Sequence, residues 1–297
     1  MAAFIINPHG RLHEWIAHEK GYFEQAGLSD YELNAHSLLT KDAIQQDQNS
    51  ASRLDNKQGA YQTYEQGRDA SISCACHWTV NMAAAASHGN LWGECYSVSP
   101  CAILVPQSSP ITTAEQLADV DIHVGYQSGS HYTTIQALEP IIPTQNIKLV
   151  FGGTPADRVD QMLDGVAPAV TVFGPQLYML EQIGFRRILD CTFMIAAMIP
   201  TDVSIAQVQA YYAALRMAQT DIDQHHQAYV HYYSNELPER HAKLVDVRRF
   251  GPGERIVFEP YTKTMYQHTQ DWVVERGIFD THVETPADYD SAVLRVG

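Results

Sequence analysis

Cys76 and His77 stand side by side, with Cys74 two positions earlier. A thiolate beside an imidazole is a nucleophile with its base, and a helix starting there would lower the thiol pKa. The same three side chains could hold a metal, but Cys-x-Cys-His lacks the wider cysteine gap of structural zinc sites, so no metal is expected. Cys74 reads more simply as a small buried residue at a strand end, and Cys76 reads either way. His9, His13 and His131 fall in or beside loops that follow apolar strands. Several imidazoles around one cleft suit general acid–base work or metal binding. Against this, the chain has 14 histidines, and some land near any cleft by chance. His225, His226, His231, His241 and His268 lie on helical segments and read as surface residues.

A second group of residues has the chemistry of anion recognition. In the loop Tyr126-Gln127-Ser128-Gly129-Ser130-His131-Tyr132, the hydroxyls of Ser128 and Ser130 and the amides around Gly129 could cradle a carboxylate, sulfonate or phosphate. The same hydroxyls could equally cap a helix. Arg11 could grip an oxyanion with two parallel hydrogen bonds, or be a solvated surface arginine. Asn7 and Arg11 follow the first strand, Gly152-Gly153-Thr154 a later one, and Pro175 another, so all belong with the expected ligand loops. Trp78 and Tyr126 could stack on a flat ligand, whereas Trp15 reads as core from its place on an apolar helix face.

These loops need elements to hold them. Phe4-Ile5-Ile6 is a short apolar strand, and Leu12, Trp15, Ile16 and Phe23 share a helical face that ends at Gly27. Tyr31-Glu32-Leu33 resumes as strand, and the polar residues 41–60 read as an exposed helix or loop. Ala70-Ser71-Ile72-Ser73-Cys74 is a buried strand, after which Thr79 could cap a helix running to Ala86. Further strands are expected at Ala102–Val105, Ile122–Gly125, Lys148–Phe151 and Val170–Phe173. Thr112 to Glu115 has the spacing of a capping box. Thr154-Pro155-Ala156-Asp157 reads as an N-cap, a first-turn proline and an acid three residues on. Beyond Ile195 the pattern is helical, including 223–245 and 260–276. Strands alternating with helices in two blocks predict an α/β protein with two lobes, each a mostly parallel sheet flanked by helices, the helical tail packing back on the first lobe.

The totals bound the function. A chain of 297 residues with 45% apolar content can bury one large core or two modest ones. A formal net charge of −15 argues against nucleic acid and anionic membrane surfaces. No apolar stretch is long enough to span a membrane. The start Met1-Ala2-Ala3-Phe4 has neither a basic n-region nor a long apolar h-region, which predicts a cytoplasmic protein. Five cysteines without a framework spacing suit a reducing compartment.

Glu19-Lys20-Gly21-Tyr22-Phe23 with Gly27-Leu28 resembles a segment of the type II substrate-binding proteins, the binders of sulfonates, nitrate, taurine and pyrimidine precursors. Ser109-Pro110-Ile111 with Glu115-Gln116-Leu117 is similar to their entry into the second lobe. His123-Val124-Gly125 with Ser128-Gly129-Ser130, then Asp164-Gly165, Pro175 and Gly184-Phe185-Arg186, follow in the family's order. The resemblance spans about residues 4–280 and implies a two-lobed type II periplasmic-binding-protein-like fold with the ligand cleft between lobes. Lobe I would comprise 1–103 and 192–297, lobe II 104–191, with crossings near 100–106 and 190–196. Binding would close the lobes as a hinge.

The resemblance leaves two functions open. The first is a cytosolic enzyme cleaving a small anionic or heterocyclic molecule as a lyase or hydrolase, decarboxylase- or desulfinase-like. His9, Cys76, His77 and His131 would then be catalytic. Asn7, Arg11, Trp78, Tyr126, Ser128, Gly129, Ser130, Tyr132, Gly152, Gly153, Thr154 and Pro175 would bind the ligand. The second is the solute-binding component of an ABC-type importer, in which case the partner would be a permease. The family's desulfinases carry a cysteine in the first loop, where this chain has Asn7-Pro8-His9, and their Arg-x-Gly-Gly motif is absent, so no catalytic assignment transfers. The cofactor is unknown, a small molecule is the expected partner, and a homodimer is compatible with the sequence.

Overall fold

Phe4-Ile5-Ile6 places two fully buried side chains on one face of strand β1 (Phe4–Asn7), which starts the larger of two sheets. A computed structural model describes residues 3–7, 9–33, 70–277 and 286–296. The polar stretch 41–60 lies outside the described residues. Helix α1 (Leu12–Glu19) follows, and Gly21 at φ +68° breaks it from α2 (Tyr22–Gln25). That left-handed backbone favours glycine. β2 (Tyr31–Leu33) and β3 (Ile72–Cys76) both pair parallel to β1.

α3 (His77–Ala85) is buried on every face, so it runs through the core rather than along the surface. Next come β4 (Asn90–Trp92) and β5 (Tyr96–Ser99). Pro100 has no N–H to give a ladder, and there the chain leaves the first sheet. β6 (Cys101–Val105) already belongs to the second. That five-stranded sheet has the order β10-β6-β9-β7-β8. It contains β7 (Asp121–Val124), β8 (Lys148–Phe151), β9 (Ala169–Phe173) and β10 (Arg186–Asp190), joined by α4 (Gly129–Leu138), α5 (Pro155–Leu163) and α6 (Gly174–Gln182). β7 runs parallel to β8 and β9, while β6 is antiparallel to β9 and β10.

The chain returns through Cys191 and Thr192 into β11 (Phe193–Ile199), which inserts antiparallel between β3 and β5 at the centre of the larger sheet. The long helix α7 (Ile205–His225) packs on α1 and α2. After it, the expected helix over 223–245 gives way to 3₁₀ turns and the short α8 (Glu239–Ala242). β12 (Arg255–Val257) adds to β5, α9 (Lys263–Glu275) covers α3, α10 (Tyr289–Ala292) follows, and β13 (Val293–Leu294) pairs with β4. The tail is therefore partly strand.

The carboxyl ends of β1 and β3 meet those of β9 and β7 across the lobes, and the antiparallel strands β5, β6, β10 and β11 carry the chain between the sheets. Local capping differs from the sequence reading in two places. The box expected from Thr112 to Glu115 closes instead between Thr113 and Gln116, over a 3₁₀ turn. α3 begins at His77 with Cys76 as its N-cap, two residues before Thr79. The box at Thr154, Pro155 and Asp157 forms as read.

Candidate functional site

The loop after β1 carries His9 and Arg11 into contact with Glu254, just ahead of β12. His9 Nδ1 lies 2.7 Å from Glu254 Oε2, a carboxylate oxygen that can only accept, so the imidazole donates from Nδ1. Its ring stacks on Phe173 of the second lobe, centroids 5.6 Å apart and planes 15° from parallel. Arg11 sits behind this pair, its Nη1 2.8 Å from Glu254 and its Nη2 2.6 Å from Glu14. Ser97 and Tyr211 complete the cluster, the Tyr211 hydroxyl donating to Glu14 at 2.6 Å. Burial works to raise the Glu254 pKa, but the charges of His9 and Arg11 and hydrogen bonds from His9 and Ser97 outweigh it and hold the carboxyl at about 2. A small cavity with room for about one water adjoins the cluster, between Arg11, Cys95, Ser97 and Tyr212.

In lobe II the turn between β7 and α4 folds its hydroxyls inward. Ser128 Oγ donates to the Gly125 carbonyl at 2.5 Å and meets Ser130 Oγ at 3.0 Å, and Ser130 Oγ accepts from the Gly125 N–H at 3.0 Å. Ser128 is the N-cap of α4, yet its side chain makes no capping bond. The His131 and Tyr132 amides bond the Ser128 carbonyl, so the Gly129 and Ser130 amides are the ones offered to another acceptor. His131 Nδ1 accepts from the Gln127 N–H at 3.1 Å, and burial lowers its pKa to about 4.

The lobes meet across these elements. Gly129, at the start of α4, lies so close to lobe I that a Cβ there would sit 2.5 Å from the Phe193 ring and 3.3 Å from Cys76 Cβ. Trp78 packs against Phe193, Tyr132 and Trp272, and Phe193 meets Phe173 edge-on. Ion pairs tie the lobes outside this aromatic seam. Trp272 and Arg276 hold Glu139 at 2.9 and 2.7 Å, and Arg240 pairs with Asp160 and Asp164. A methyl group at Gly129 should cost about 1–3 kcal/mol of stability by overpacking, unless the lobes part. Gly129→Ala is expected to lower Tm or widen the radius of gyration in X-ray scattering, and adding Phe193→Leu should restore both. A Gly129→Ala protein unchanged in both would contradict this contact.

The other residues singled out by sequence have mixed placements. Cys76 is buried, its Sγ 3.0 Å from Thr79 Oγ1. Burial pushes its pKa to about 11, so the helix start does not make it a thiolate. His77 Nδ1 donates to the Met194 carbonyl at 3.0 Å, and burial holds the ring neutral with a pKa of about 4. Arg11 is no surface residue, being 3% exposed with its donors spent on Glu14, Glu254, Ser97 and Tyr211. Trp78 and Tyr132 are buried in the inter-lobe seam rather than laid along an open wall. Tyr126 packs on Phe151 and His131, with its hydroxyl on the Leu149 carbonyl.

Gly153 gives its carbonyl to Arg158 at 2.7 Å, Gly152 lies against the Arg158 stem, and Thr154 caps α5. Pro175 opens α6, and Asn7 pairs in register with Ser73. His13 bonds Gln219 at 2.8 Å inside lobe I, away from any opening. His241, read as a surface residue, is fully buried against Asp160 at 3.0 Å. Trp15 is only half-buried and stacks on Tyr232. Among the described residues no group of three or more His, Cys, Asp or Glu side chains converges as metal ligands would. Glu254 is the candidate site residue that sequence reasoning missed. Its one local signal is the turn Gly251-Pro252-Gly253, whose close approach to Tyr178 of lobe II fixes the loop that carries it.

Two sheets joined by two crossings, with parallel strand ends facing across a seam, make this the two-lobed type II periplasmic-binding-protein-like fold. The alkanesulfonate-binding protein SsuA from Xanthomonas axonopodis pv. citri, bound to MOPS, superposes with a TM-score of 0.69 at 16% identity, covering 99% of this chain and 98% of that one. The periplasmic aliphatic sulphonate binding protein SsuA from Escherichia coli gives 0.66 at 15% identity, over 100% and 93%. The desulfurization enzyme DSZB gives 0.57 at 13% identity, over 98% and 96%. No family model and no curated protein sequence matches the chain. No helix among the described residues is long and apolar enough to cross a membrane.

Proposed function

We propose that the chain closes its lobes over a small organic oxyanion and that His9 moves a proton to or from it, in a lyase- or hydrolase-type cleavage. The observation that carries this reading is the His9–Glu254 pair at the inter-lobe seam. A buried ionised carboxylate accepts from Nδ1 and so fixes the imidazole's tautomer, which leaves the lone pair on Nε2 as a general acid–base needs. The uncapped start of α4 supplies the anion site across the seam. Desulfurization enzyme DSZB shows that chemistry is compatible with the fold.

A solute-binding role is the second reading. It is favoured by the neutral, internally bonded state of Cys76, His77 and His131, which leaves His9 as the one candidate of the four held against a carboxylate. It is favoured also by the likeness to sulfonate-binding proteins.

The test begins with native mass spectrometry of the purified protein for a retained ligand, followed by titration with alkanesulfonates, arylsulfinates and carboxylates and NMR of the mixture. Enzyme action predicts product with the wild type. His9→Ala should then lose turnover by at least about 100-fold while keeping most of the affinity. A ligand that binds and is recovered unchanged would reassign the protein to solute binding.

A further inference from the structure

Cys101 and Cys191 occupy the two points at which the chain passes between lobes. Cys101 opens β6 immediately after Pro100, and Cys191 follows the last residue of β10. The Cys191 N–H donates to the Cys101 carbonyl at 2.9 Å, which continues the β6–β10 ladder by one pair. On the other side, Phe193 is in register with Ser99 in the larger sheet. The two thiols therefore face each other at the pivot, with Sγ atoms 3.6 Å apart, although they lie 90 positions apart in sequence. Adjacent antiparallel residues have Cα separations in the range that a disulfide bridges without moving the backbone.

We propose that Cys101 and Cys191 form a reversible disulfide that staples the base of lobe II and stiffens the hinge. The segment it would close is the whole of lobe II, an unbroken stretch holding β6 to β10. Closing so long a loop removes much of the unfolded chain's freedom, so the oxidised form is the more stable. The oxidant is a small-molecule disulfide such as oxidised glutathione. The Cys101 thiol loses its proton and attacks one sulfur, releasing one small thiol and leaving a mixed disulfide. The Cys191 sulfur, losing its proton, displaces the second small thiol as the protein S–S bond forms. Two electrons and two protons thus pass from the protein to the oxidant.

Arg158 supports the first step. It is buried, its Nε and Nη1 donate to the Thr171 and Gly153 carbonyls, and its charge favours the Cys101 thiolate, although burial and the neighbouring Cys191 outweigh it and hold that thiol well above its usual range until solvent reaches the pair. Both cysteines are almost fully buried, so exchange proceeds when the hinge opens or as the chain folds.

The experiment is equilibration of the reduced full-length protein with oxidised glutathione in mildly alkaline buffer, followed by alkylation under denaturing conditions and peptide mapping. The expected result is two fewer alkylated thiols, a mass lower by about 2 Da before alkylation, and one cross-linked peptide joining Cys101 to Cys191. Tm should rise by about 5 °C, reversibly with dithiothreitol. Hydrogen exchange at residues 99–102 and 190–193 should slow, and Cys191→Ser should show none of these changes. If all five cysteines stay alkylatable, or the bond maps to another pair, the proposal fails. Mapping on the wild type decides this even where the variant folds poorly.

Discussion

Unfolding this protein at pH 5 is expected to take up between two and three protons, so that stability climbs steeply with pH across the range 4 to 6.5. His13, His77 and His131 are each lowered by burial from 6.5 to about 4 in the folded state. In the unfolded chain they titrate near 6.5, and between these values the unfolded state binds more protons than the native one. Falling pH therefore favours unfolding. Each histidine removes about 3 kcal/mol by pH 4, somewhat less for His131, which keeps some contact with solvent. Together they approach the whole folding free energy of an ordinary domain. Glu254 pushes the same way, because its contribution is complete above 4.5 and is lost as pH falls toward 2. Urea unfolding at closely spaced pH values measures the slope directly. His13→Gln and His77→Gln should each flatten it by about one proton. A wild-type slope below one proton would mean that these rings are solvated.

Replacing Arg11 with methionine is expected to be the most damaging single substitution in lobe I. Arg11 is the cation shared by Glu14 and Glu254, both buried, and it also anchors Ser97 and Tyr211. Removing it leaves two carboxylates with His9 and hydroxyls as their remaining partners. Breaking a buried charge cluster in this way costs about 3–5 kcal/mol, which for a chain of this size is a fall in Tm of roughly 5–8 °C. Tyr211→Phe removes one hydroxyl from the same cluster and should cost only about 1 kcal/mol. Thermal unfolding of the pair followed by circular dichroism separates them. An Arg11→Met protein as stable as Tyr211→Phe would show the cluster to be dispensable.

The parts of this molecule that were legible in sequence share a short-range physical cause. The apolar runs at Phe4–Ile6, Ala70–Cys74 and Ala102–Val105 become buried strands because each is too apolar to face water, the second shifted two residues on to Ile72–Cys76. Thr154-Pro155-Asp157 forms its cap because every partner lies within one helical turn. The loop at Ser128–Ser130 likewise lands at the strand ends where the βα pattern puts it.

What sequence did not reveal depends on residues that meet only in the folded chain. Glu254 joins His9 across 245 positions, and nothing near either predicts the pairing. The sequence leaves Arg11 open between a ligand grip and a surface arginine, because its burial is decided by Glu14 three positions on together with Glu254 from the far end of the chain. Cys76 and His77 looked reactive as neighbours, yet burial gives a neutral thiol and a neutral ring. His241 looked exposed because a short helical stretch shows no periodicity, whereas the fold lays it on Asp160 of the opposite lobe.

The place of β11 governs the order in which a ribosome could deliver this architecture. β3, β4 and β5 leave the exit tunnel well before β11, the strand that pairs with all three. The whole of lobe II emerges in between, with every one of its strands already present. The nascent chain thus completes its middle first, while the earlier strands wait with raw edges until the sequence Phe193–Ile199 arrives to join them.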